Sequence, residues 1–135
     1  MKTLSVTDLL DCVAATIKQD VVGEVEGAAR YAALMSANAA NIPKREYQLW
    51  PELRAAELRQ LVELYGEEVV RQSGADDDAR HAAMERRLAD DIRDGVLDGA
   101  CAAGLRVLLR ERAKGRLAIS NPRYLDRALN SNSFD

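Results

Sequence analysis

The chain has 135 residues, 47% hydrophobic and 30% charged, which is enough for one core, and no Pro-, Gly- or Ser-rich linker divides it. Its 22 acidic residues outnumber 19 basic ones for a formal charge of -3. Because lysines and arginines alternate with acids throughout, no concentrated cationic surface marks nucleic acid as the main partner.

Aromatic residues make up only 4% of the chain, and Trp50 and Phe134 are the sole examples of their kinds. Stacking platforms are therefore scarce, and alanine-rich helices are expected to pack closely. Asp8 and Asp11 appear before any signal-like apolar run, and there is no stretch of about 18 uninterrupted apolar residues. The expectation is a cytoplasmic protein that does not enter a membrane. Cys12 and Cys101 lie far apart inside helical patterns, which favours reduced, packed thiols over a disulfide. The single histidine, His81, argues against a zinc site.

The first predicted helix runs from Thr7 to Val22, capped by Thr7 or Ser5. Val6, Leu9, Leu10, Val13, Ile17 and Val21 recur at three-to-four spacing, opposite Asp8, Asp11, Lys18 and Asp20. A second starts near Glu24, where Val25, Ala28, Ala32, Met35, Ala39 and Ile42 form a seam of mostly small residues that permits close helix approach. Pro43 is expected to kink or end that helix, since it lacks the N–H that bonds one turn back. Pro51 then fits the first turn of a surface helix reaching Tyr65. In it Leu53, Leu58, Leu61, Val62 and Tyr65 alternate with polar residues that include Arg54, Glu57 and Glu63, and Gly66 closes it.

Ser73 to Asp78 reads as a loop and an acidic helix start, followed by a helix from Asp77 to Asp94 that turns Ala83, Met84, Leu88 and Ile92 inward and stops at Gly95. Asp98 is positioned to cap the last long helix, to about Ile119, which carries Cys101, Leu105, Leu108, Leu109 and Leu117. Gly104 and Gly115 each cost that helix about 1 kcal/mol relative to alanine, which suggests tight packing at both. Asn121 is pushed from helical geometry by Pro122, making Asn121 a cap and Pro122 the first residue of a terminal helix to Leu129. Residues 130–135 form a frayed tail. No segment alternates like a strand, so the prediction is an all-α, single-domain bundle of five to six helices, spanning residues 1–135, with no sheet.

Candidate chemistry is sparse. Asp78 and His81 stand one turn apart, but a di-iron bundle needs such a pair twice, so the acidic run is read as a helix-capping cluster and no metal is assigned. The turn at Arg93 and Gly95, with Arg86, Arg87 and Arg106 nearby, faintly suggests a DNA-binding regulator. Asp90, Asp91, Asp94 and Asp98 interrupt that positive stretch, and a simple helix reversal is preferred. No nucleophile elbow, phosphate loop or dinucleotide fingerprint occurs, and neither cysteine has a neighbouring base in sequence. The reading is a chain with no cofactor and no catalytic residue of its own. Arg45, Glu46, Arg123 and Tyr124, beside helix breaks, either bond within the chain or meet a partner.

The closing motif Leu117-Ala118-Ile119-x-Asn121-Pro122-Arg123-Tyr124 resembles that of a small bacterial family of uncharacterised helical proteins encoded beside acyl-CoA dehydrogenases and aminoglycoside-phosphotransferase-like kinases. Asn38, Ile42 and Arg45-Glu46 fall where that family tends to carry an asparagine, an isoleucine and an Arg-Glu pair. Ile92-Arg93-x-Gly95-x-Leu97-Asp98 is similar to its inter-helix turn. The resemblance implies a role like that of the small partner subunit of a hydroxyacyl-CoA kinase of the levulinate-catabolism type. A phosphotransferase-like kinase would then be the partner and would hold the catalytic groups. On that reading Asn38, Arg45, Glu46, Arg93, Asn121, Arg123 and Tyr124 are structural or partner-contact residues. A homodimeric module that binds an acyl or CoA-like ligand between helices is the alternative.

Overall fold

One 25-residue helix forms the spine of the molecule. In the computed structural model, which describes residues 3–131, the helices are α1 (Val6–Thr16), α2 (Gly27–Ala39), α3 (Asn41–Tyr65), the short α4 (Glu67–Gln72), α5 (Asp77–Arg93), α6 (Ala102–Ser120) and α7 (Pro122–Asn130). The fold is all-α, and no strand occurs among the described residues. The expected tail is helical as far as Asn130, and its residues from 132 onward lie outside those described. No helix among the described residues is long and apolar enough to cross a membrane.

Ser5 caps α1 reciprocally: its hydroxyl accepts the Asp8 N–H, and the Asp8 carboxylate accepts the Ser5 N–H, both at 3.1 Å. Hydrogen bonding to its carboxylate from the Ser5 side chain and the Ser5 backbone N–H holds the Asp8 carboxyl below its ordinary range. The first helix does not run unbroken to Val22. It gives way to a π turn over Ile17–Val21 and a 3-10 turn over Val22–Glu24.

Pro43 and Pro51 act otherwise than expected. The chain breaks at Ala40, before Pro43, which lies in the first turn of α3, where backbone N–H groups lack intrahelical acceptors anyway. Pro51 does not begin a helix; it sits inside α3. The missing bond to the Tyr47 carbonyl is tolerated because α3 packs against α1, α2, α4, α5 and α6 along its length, and packing outweighs local propensity.

The core joins the second half of α3 to α4, α5 and α6 through Leu58, Leu61, Val70, Met84, Leu88, Leu97 and Leu108. Gly66, at φ +91°, turns the chain from α3 into α4, and Gly95, at φ +72°, follows α5 in the left-handed conformation its position demanded. Side-chain ties reinforce this packing. Lys44 meets Asp11 at 2.6 Å, Arg54 pairs with Asp78, and the Tyr65 hydroxyl donates to Asp91 at 2.8 Å. Burial and that carboxylate together push the Tyr65 hydroxyl pKa upward.

The N-terminal third departs from the amphipathic expectation. Val6, Leu9, Val13 and Val21 are 48%, 51%, 49% and 39% exposed, so the predicted apolar stripe of α1 is largely uncovered. In α2 only Ala37 is buried, while Ala28, Ala32, Met35 and Ala39 of the small-residue seam face solvent. Close helix approach occurs instead at Gly115, where a Cβ would lie 2.9 Å from Leu53 Cδ2; at Gly104 there is open space. Cys12 and Cys101 are free, but exposed rather than packed. Asp98 makes no capping bond and precedes a 3-10 turn, Gly99–Cys101, that leads into α6.

Candidate functional site

Four of the seven residues singled out in the sequence converge. Asn38 from the end of α2, Arg45 from the first turns of α3, and Asn121 and Arg123 from the α6–α7 junction line one cleft of about 410 Å³, with Met35, Ile42 and Pro122 among its apolar walls. The junction folds as its sequence dictates. Asn121 leaves helical geometry at φ -151° and ψ 73°, its side chain accepts the Tyr124 N–H at 3.1 Å, and Pro122 opens α7. Arg45 Nε donates to the Ile119 carbonyl at 2.6 Å, which ties α3 to the end of α6. The Arg123 guanidinium has neither a hydrogen bond nor an ion pair among the described residues.

The other three lie elsewhere. Glu46 lines a separate groove of about 660 Å³ whose walls are Val6, Pro43, Tyr47, Trp50 and Pro51. Tyr124 is 51% exposed and does not line the cleft. Arg93 pairs with Asp90 at 2.8 Å on the surface of α5.

A buried polar network, which sequence reasoning missed, joins three helices. Glu57 of α3 and His81 of α5 are 4% and 7% exposed. His81 Nε2 lies 2.5 Å from Glu57 Oε2 and 3.6 Å from Glu85 Oε1. Arg112 of α6 pairs with Glu85 and approaches Glu57 to 3.6 Å, and Arg116 reaches Glu57 at the same distance. Trp50 stands edge-on to His81 at 5.0 Å and lies under the Arg116 guanidinium at 4.8 Å.

Glu57, His81 and Glu85 bring ligand-type atoms close enough together to suggest a cation site. The short Glu57–His81 contact closes the space between two of them, and two guanidiniums already balance the two carboxylates. The cluster therefore acts as a neutralised tie between α3, α5 and α6. Asp78 takes no part, because its carboxylate goes to Arg54. Periodicity had placed Glu57 on a wet face. The available signal was the repeated one-turn spacing of His81 with Glu85 and of Arg112 with Arg116.

Fold and surfaces together define an all-helical protein in which the buried Glu57 and His81 are paired and whose open features, among the described residues, include an apolar groove and an arginine-bearing cleft. The chain belongs to the DUF6285 family, described as a domain of unknown function, whose model matches residues 23–124. That span contains the whole cleft and all seven singled-out residues but not α1. No match was found among curated proteins or solved structures.

Proposed function

We propose that this chain is a non-catalytic accessory subunit of a phosphotransferase-like kinase acting in acyl-CoA or hydroxy-acid catabolism. The observation that carries the reading is the open groove between α1 and α3, walled by Val6, Pro43, Tyr47, Trp50 and Pro51. Tyr47 is 60% exposed, and Leu9 and Val13, which follow Val6 at helical spacing along α1, are likewise uncovered. Contiguous exposed apolar surface marks an interaction site, and aromatic residues are the side chains that anchor interfaces. The kinase as partner comes from the resemblance of the closing motif, and the catalytic groups would be its own.

Co-expression with a phosphotransferase-like kinase of the kind encoded beside members of the resembled family tests the proposal. Co-elution on a sizing column, with kinase activity that depends on this chain, is the expected result. Separate elution and unchanged activity would overturn it.

A further inference from the structure

The cleft at the α2–α3 and α6–α7 junctions has a chemistry that the docking groove lacks. In a chain of net charge -3, two arginines and three asparagines, Asn38, Asn41 and Asn121, line one concavity that no aspartate or glutamate among the described residues enters. Arg45 is fixed through its Nε by the Ile119 carbonyl, which leaves its two Nη groups for other partners. Arg123 is unpaired. The nine-residue α7 begins in the cleft wall and adds the positive end of its dipole.

This set favours a dianion. Two guanidinium forks match the several oxygens and double charge of a phosphate better than the single charge of a carboxylate. The apolar walls formed by Met35, Ala39, Ile42 and Pro122 suit a short carbon chain beside the charged group. We propose that the cleft binds a phosphomonoester carried on a small organic molecule. The proposal uses residues separate from the docking groove, so it stands or falls independently of the accessory-subunit reading.

The test is calorimetric and NMR titration of the full chain, at low ionic strength, with inorganic phosphate, butyl phosphate and butyrate. Expected is saturable binding of both phosphates, with amide shifts at residues 121–125, tighter for butyl phosphate and about tenfold weaker for butyrate. Arg123→Gln should weaken butyl phosphate binding about tenfold, in line with the loss of a charge-assisted pair. Asn38→Ala should weaken it less, and Arg93→Gln, away from the cleft, should leave it unchanged. Arg123 is exposed, so its substitution should keep the circular dichroism spectrum; Asn38→Ala serves as the second probe. Failure of both phosphates to saturate, equal binding of butyrate, or wild-type affinity in both cleft variants would overturn the proposal.

Discussion

His81 Nε2 and Glu57 Oε2 lie 2.5 Å apart, 24 residues apart in sequence, at a point where neither residue is more than 7% exposed. This contact anchors the network that fixes α5 and α6 against α3. Glu57→Leu should leave Arg112, Arg116 and His81 without their shared carboxylate and lower stability by about 3 kcal/mol, as when one partner of a buried ion pair is removed. Urea unfolding checks it. Because Glu57 lies outside the cleft, phosphate titration of any folded fraction should match wild type.

The two glycines of α6 should respond differently to alanine. At Gly104 nothing stands within 4 Å of a new Cβ, so Gly104→Ala should stabilise the protein by about 1 kcal/mol through helix propensity. At Gly115 the new Cβ meets Leu53 at 2.9 Å. That side chain must move, which offsets the propensity gain, and thermal melts should place Gly115→Ala below Gly104→Ala.

Pro51 gives a third expectation. It interrupts the backbone ladder inside α3 while forming a wall of the groove. Pro51→Ala should restore the bond to Tyr47 and raise stability by up to about 3 kcal/mol, measured by chemical denaturation, while weakening partner docking.

Asp8 sets a pH dependence. Its folded pKa is depressed by its bonds to Ser5, so the stability it contributes is present above its unfolded pKa and is lost as pH falls through the lower folded value. An NMR titration should give a midpoint below 3.8, the ordinary value. The stability advantage of wild type over Asp8→Asn should be present at neutral pH and shrink in acid.

These expectations show which parts of the structure local sequence encodes. Asn121 with Pro122, the acidic start of α5 and Gly95 each follow from the conformational limits of one or two residues, and all appear where those limits put them. Pro51 did not, because packing along α3 outweighed its local cost. Glu57 and His81 were illegible for a related reason. Each reads as a polar residue on a helix face, and only the approach of α6 with Arg112 and Arg116 allows both to be buried. The stripe on α1 was read correctly as apolar, yet it is largely uncovered, since periodicity identifies a face without saying what it meets. In the cleft, Asn38, Arg45, Asn121 and Arg123 were singled out separately from helix breaks and motif; their shared concavity depends on how the two junctions dock.

Co-elution of a phosphotransferase-like kinase of the proposed type with wild-type chain and with Tyr47→Glu tests the docking account most directly. Wild type should elute with the kinase as one species, and Tyr47→Glu, which places a charge in the groove, should elute apart from it while remaining helical. A Tyr47→Glu chain that stays with the kinase as firmly as wild type would contradict the assignment of the groove as the docking surface.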